Sequence, residues 1–200
     1  MTVDIDVWFD YICPYSLITR QLLARAVTGA GTDTRTTLHP FEVNPHCVEE
    51  AGEYPRGVWE NSVRPLARRH GVPLPGPPGT PLRRARMAFT GYQYALEQGA
   101  EPAYSDLVFH AYFHDWQDIS DPVVLTALAR RAGLDPLAYR SAILSARYAR
   151  LHRQAEAAAR ASAGVTMVPV VVIGSWRIDG VPSRAQLDDA IGRAAEAGTG

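Results

Sequence analysis

The chain has 200 residues, 46% of them hydrophobic, and a formal net charge of −1. That is enough apolar material for one domain, or for one domain with a sizeable insertion, and the balanced charge carries no footprint of a nucleic-acid or membrane-surface binder. All the basic residues are arginine, a bias of composition that marks no phosphate-binding patch. No stretch approaches the roughly 18 apolar residues needed to span a bilayer. The opening "MTVDIDVWFD" has no basic n-region and no long apolar run, so it does not read as a secretory leader. The expectation is a cytoplasmic protein, where thiols stay reduced. Its two cysteines, Cys13 and Cys47, are then no disulfide framework, and each needs its own account.

In chain order, Val3, Ile5, Val7 and Phe9 alternate with Asp4, Asp6 and Trp8, the period of a strand. Pro14 suits the first position of a helix, where its missing N–H costs nothing. Leu17, Ile18, Leu22, Leu23 and Ala26 follow at helical spacing until "GAG" at 29–31. "TRTTLHPFEV", 34–43, predicts a second strand closed by Pro45. The middle is helical: about 57–71, then a Pro/Gly-rich connection "GVPLPGPPGTP", then about 82–98, 101–114, 121–132, and 135–162 with a break near Ala146. "VPVVVIG", 168–174, is a short β-branched run of the kind buried on both faces, with "SWRIDG" as its hairpin partner. "PSRAQLDDAIGRAAE" then predicts an amphipathic helix capped by Ser183.

The order β-α-β, about 100 residues of helices, then β-β-α describes an α/β protein. One sheet domain, 1–50 with 164–200, is interrupted by an all-helical insertion at 51–163.

That order, with Cys-Pro at the first strand-to-helix junction, resembles the thioredoxin fold as elaborated in the DsbA family, most closely its FrnE-like branch. The resemblance rests on "FDYICPYS", "HPFEVNP", "YFHDWQDISDPVVLTALARRAGLD" and "AGVTMVPVVVIGSWRIDGVPS" and spans nearly the whole chain. It implies that Cys13 stands in the place of the nucleophilic cysteine. It also implies that Pro169 stands in the place of the cis-proline facing it, so that Val168-Pro169 is a cis bond. The departure is Ser16, where the dithiol members have a second cysteine. The related kappa-class glutathione transferases and 2-hydroxychromene-2-carboxylate isomerases carry Ser-Pro-Tyr-Ser or similar there and bind a small thiol beside the first serine.

A thiol at a helix N-terminus meets unpaired N–H groups and the positive end of the dipole, a placement that can lower its pKa from about 8.5 to 3.5–7.5. The expectation is a reactive, ionised Cys13 with Ser16 as a hydrogen-bond donor across the first turn and Tyr15 lending surface or a phenol. One thiolate cannot complete a dithiol–disulfide cycle, because a mixed disulfide needs a resolving thiol; Cys47 or a low-molecular-weight thiol would have to supply it. One thiolate can add reversibly to a conjugated double bond, allow rotation, and eliminate, with no net electron transfer. The leading expectation is therefore cis–trans isomerisation of a conjugated polyene or aromatic acyl substrate, free or bound to a carrier protein. Thiol–disulfide exchange is the alternative, and a non-catalytic peptide- or thiol-binding module is the third reading.

Catalysis is assigned to Cys13 and Ser16, and substrate binding to Pro14, Tyr15, His46, Val168, Pro169 and Phe113. The insertion's aromatics, Phe89, Tyr92, Tyr94, Tyr104, Phe109, Tyr112, Phe113 and Trp116, are expected to offer a substrate wall as well as core. His110 and His114 are spaced for one helical face but lack the companions of a metal site, so no metal is expected. "RRAR", 83–86, reads as a solvated helix face. A homodimer is left open.

Overall fold

The computed structural model describes residues 2–43, 56–78 and 84–198; His46 and Cys47 lie outside them. Strand β1 (Val3–Phe9) leads into helix α1 (Pro14–Gly29) and strand β2 (Thr34–Pro40). Helix α2 (Arg56–Val58) runs through a π-helical turn at Trp59–Val63 into α3 (Arg64–Arg69). Then come α4 (Arg86–Glu97), α5 (Glu101–Phe113), α6 (Pro122–Arg131), α7 (Pro136–Ile143) and α8 (Ala146–Ala161). Strands β3 (Val170–Ile173) and β4 (Trp176–Asp179) and helix α9 (Arg184–Ala197) close the chain. The sheet order is β2-β1-β3-β4. β1 and β2 are parallel, joined through α1, whereas β3 runs antiparallel to both β1 and β4. This is a thioredoxin-like α/β fold with a block of helices between β2 and β3.

The alternation in β1 puts Val3, Ile5, Val7 and Phe9 into the main core. Helices α1 and α9 pack on each other, and α9 packs on β1 and β3. Trp8 belongs to a smaller cluster with Phe41, Ala159, Val165, Val168 and Val170, where α8 meets the sheet. Helix starts follow local chemistry. Asp121 accepts from Val123 N–H and Asp135 from Ala138 N–H, both at 2.7 Å. Ser183 and Gln186 form a capping box on α9.

Three expectations change. The second strand stops at Pro40, three residues early, because the chain turns there to bury Phe41 and Glu42. The helix at 57–71 is split by the π turn, which places Trp59 and Val63 inward together. The aromatics of the insertion are mainly core: Phe89, Tyr104 and Phe113 have no exposed surface, and Tyr92, Phe109 and Tyr112 little more. Phe9 meets Phe89, Tyr92 and Phe109 at ring-centroid distances of 5.5 to 6.0 Å, so sheet and insertion share one interior.

Within that interior Gly91 on α4 lies against the hydrogen-bonded hydroxyls of Tyr104 and Tyr139, 2.7 Å apart. A Cβ there would fall 2.6 Å from the Tyr104 hydroxyl and still closer to that of Tyr139. Helix propensity alone favours Ala over Gly by about 1 kcal/mol, while overpacking costs about 1–3 kcal/mol. Gly91→Ala is expected to lower the thermal midpoint, and an unchanged or higher midpoint in a melting experiment would refute this packing account.

Candidate functional site

The site forms where β1 and β2 end side by side. Phe41 N–H donates to the Phe9 carbonyl at 2.9 Å, extending the pairing beyond β2. Asp10 follows β1, is 1% exposed, and accepts Ile12 N–H on Oδ1 at 3.1 Å and Val43 N–H on Oδ2 at 2.9 Å. One carboxylate thus holds both the turn into Cys13 and the exit from β2. Cys13 is the N-cap residue of α1 in extended conformation, with Pro14 first in the helix. Ser16, 2% exposed, accepts the Asp10 N–H on its hydroxyl at 3.3 Å.

The Cys13 thiol donates to the Val168 carbonyl at 3.8 Å, and the Val168–Pro169 peptide is cis. Fold topology therefore brings together Cys13, Pro14, Ser16, Val168 and Pro169, residues separated by about 155 positions in sequence. Tyr15 points elsewhere: its phenol is 2.7 Å from the Ser62 hydroxyl on the π turn. Phe113 does not join the site. It has no exposed surface and belongs to the main core, because the apolar face of α5 is needed to cover its neighbours.

The electrostatics overturn one expectation. Cys13 is half-buried by surface, and it packs against the Trp8–Phe41–Val168 cluster. Desolvation pushes its thiol up from 9.0 to about 11. The Ser16 hydroxyl and the N–H groups of Ser16 and Tyr15 favour the thiolate, while the nearby Asp10 charge opposes it. The helix N-terminus acts in the anticipated direction, but burial is larger. The resting thiol is protonated at neutral pH.

Behind Cys13 lies a polar cluster that sequence reasoning missed. His152, 1% exposed, lies 2.8 Å from Glu42 Oε1 through Nε2 and 3.7 Å from Glu156 Oε2. Glu156 accepts the Glu42 N–H at 2.9 Å, Arg86 donates to Glu42 Oε1 at 3.1 Å, and Arg160 donates to the Glu42 carbonyl at 3.2 Å. Arg86 of "RRAR" is therefore partly committed to the interior, not only to solvent. Burial works against the Glu42 charge, but His152 and Arg86 together hold its carboxyl below the usual range. Burial pushes Asp10 up from 3.8 to about 7, against its two backbone N–H bonds and with help from Glu42 and Glu156.

Glu42, His152 and Glu156 offer ligand atoms within 4.8 Å of one another. Arg86 already ion-pairs with the Glu42 carboxylate and Arg160 caps the Glu42 carbonyl, so the donor set fits a closed hydrogen-bond network better than a metal. The signals available were a carboxylate interrupting each of two apolar runs, "VWFDYI" and "PFEV", and the i,i+4 spacing of His152 and Glu156. His110 and His114 stack at 4.8 Å, but on α5 and away from Cys13.

A carboxyl moved from 3.8 to about 7 corresponds to on the order of 4 kcal/mol. The folded protein holds this proton more tightly than the unfolded chain. The contribution is therefore complete below about pH 4 and is lost as pH rises towards 7. Asp10→Asn is expected to flatten the pH dependence of urea-denaturation stability over that interval relative to the parent protein. Equal slopes in the two proteins would contradict the burial assigned to this carboxyl.

Comparison with known proteins agrees with this architecture. Residues 4–192 match the family model described as DSBA-like thioredoxin domain. A relative from Bacillus subtilis (strain 168), uncharacterized protein YwbO, is 31% identical over 198 residues, covering 96% of each chain. A probable DsbA oxidoreductase from Streptomyces coelicolor superposes with a TM-score of 0.82 at 20% identity, over 97% of this chain and 90% of that one. A 2-hydroxychromene-2-carboxylate isomerase superposes with a TM-score of 0.79 at 18% identity, over 98% of both. These two structures show a likeness of fold. The family model spans the sheet, the helical insertion and the Cys13 junction alike: the chain belongs to the DSBA-like thioredoxin domain family.

Proposed function

We propose that this protein is a one-thiol enzyme. Cys13 adds reversibly to an electron-poor, conjugated double bond of an apolar acyl or aromatic substrate and so interconverts its cis and trans forms. The observation that carries the reading is the state of position 16. A resolving cysteine would belong there, yet the residue is a buried serine whose hydroxyl accepts the Asp10 N–H and favours charge on the Cys13 sulfur, but brings no second thiol. The family contains both oxidoreductases and isomerases, and chemistry without net electron transfer suits a site with one cysteine among its described residues.

The surroundings support an apolar partner. Cys13 packs on the Trp8–Phe41–Val168 cluster. Exposed Met167 precedes Val168, and exposed Val43 donates its N–H to Asp10. In the step itself, the sulfur bonds to the β-carbon and the π pair moves onto the conjugated carbonyl oxygen. Rotation follows about what has become a single bond. The enolate then collapses, the C–S bond breaks, and the thiolate leaves; no oxidant or reductant is consumed. The N–H groups of Tyr15 and Ser16, which favour charge on the sulfur, stabilise the thiolate as it forms and departs. The thiol proton has to leave during attack and come back afterwards. Asp10, poised near 7 and electrostatically coupled to Cys13, is suited to hold it.

A protonated resting thiol costs rate. With the thiol at about 11, roughly one molecule in 10⁴ is ionised at pH 7, and the higher intrinsic nucleophilicity of a more basic thiolate recovers only part of that. In return, such a thiol is shielded from oxidation until a substrate occupies the site.

The test follows isomerisation of a cinnamoyl or dienoyl thioester by ultraviolet absorbance, beside insulin reduction with dithiothreitol. The parent protein is expected to isomerise and to reduce insulin no faster than the free dithiol, with isomerisation lost in Cys13→Ala. Ser16→Cys is expected to add insulin reduction of at least ten-fold over the parent. Strong insulin reduction by the parent, abolished by Cys47→Ala, would replace this reading with thiol–disulfide exchange through Cys47 as the resolving thiol.

A further inference from the structure

A cavity lies where the sheet layer meets the insertion, and Cys13 is not in its wall. It measures about 340 Å³, within the size range of small-molecule sites, which favour such junctions. Leu17 and Ala24 of α1, Leu38 of β2 and Phe109 of α5 make its apolar floor. Its charged wall is unequal. Arg20 is already committed, donating from Nε to Asp106 at 2.7 Å and from Nη2 to the Pro102 carbonyl at 3.1 Å. Glu101 is not: its Oε2 is buried and has no hydrogen-bond partner among the described residues. Glu101 sits in the first turn of α5, at the positive end of that helix's dipole. After burial, its charge is what raises the buried Tyr92 phenol, so the carboxylate acts on the interior as well as on the cavity. Among the lining carboxylates and guanidinium, Arg20 against Glu101 and Asp106 leaves one negative charge in excess, with the imidazoles of His110 and His114 also in the lining.

We infer that this cavity is a binding site for a small amphipathic amine, its apolar body on the Leu17–Leu38–Phe109 floor and its protonated amino group on Glu101. The unpartnered carboxylate oxygen and the excess negative charge both call for a cationic donor. A carboxylate head would meet the same excess as repulsion. The site is independent of the chemistry proposed for Cys13.

The experiment titrates the full-length protein with n-octylamine, 1-octanol and octanoate, probes of matched length. Binding is read by amide chemical shifts in nuclear magnetic resonance spectra. Octylamine is expected to saturate, shifting amides of α1 and of the first turns of α5, and to bind at least five-fold more tightly than octanoate. Glu101→Gln, nearly isosteric, is expected to weaken octylamine at least five-fold and leave octanol within two-fold. Ala24→Trp, which fills the cavity, is expected to weaken all three, and Cys13→Ala to weaken none. Octanoate binding as tightly as octylamine, equal octylamine affinity in Glu101→Gln, or shifts spread evenly over the molecule would overturn the assignment.

Discussion

One buried carboxylate sets the geometry of this site. Asp10 accepts the N–H of Ile12 with one oxygen and that of Val43 with the other, so two parallel strands are fastened together where both leave the sheet. The Ile12 bond shapes the turn that delivers Cys13 to the mouth of α1. The Val43 bond holds the chain that brings Glu42 against His152 and Arg86. Burying such a group is costly unless its hydrogen bonds are made, and here both oxygens are engaged, so one carboxylate sets both the geometry and the electrostatics of the junction. The same burial that fixes the turn raises the proton affinity of the acid and of the sulfur beside it.

The family's characteristic junction is retained, but with one sulfur in it. In the dithiol members, the residue three positions after the first cysteine closes the cycle. Here Ser16 serves the backbone instead, taking the Asp10 N–H. The Val168 carbonyl, next to a cis-proline, receives the resting thiol hydrogen. A protonated, half-buried sulfur differs from the ionised one that helix position alone suggests. It makes reactivity conditional on what displaces solvent around Cys13 and on whether Asp10 carries its charge. The polar cluster of Glu42, His152, Glu156, Arg86 and Arg160 supplies that background potential.

What was legible in the sequence was local. The period of Val3 to Phe9, Pro14 at the start of α1, the break between α7 and α8, and Ser183 as a cap each follow from neighbours within a few positions. The Cys13 junction was legible for the same reason. Asp10, Glu42, His152 and Glu156 were not, because their meeting depends on β1, β2 and α8 ending in one place, and a lone carboxylate in an apolar run does not say whether it turns in or out. Phe113 shows the converse: an aromatic ring is as well suited to an interior as to a cleft, and the packing of α5 decided it. The thiol followed suit, since its place on the helix could be read and the degree of its burial could not.

The central claim is that burial, assisted by Asp10, outweighs the helix N-terminus and keeps the Cys13 sulfur protonated. The most direct measurement is a titration of thiolate ultraviolet absorbance, as the difference between the parent protein and Cys13→Ala. The account predicts a midpoint well above 9, towards about 11, and a lower midpoint once Asp10→Asn removes the opposing charge. A midpoint in the parent below about 8, in the range of thiols activated at helix N-termini, would contradict it.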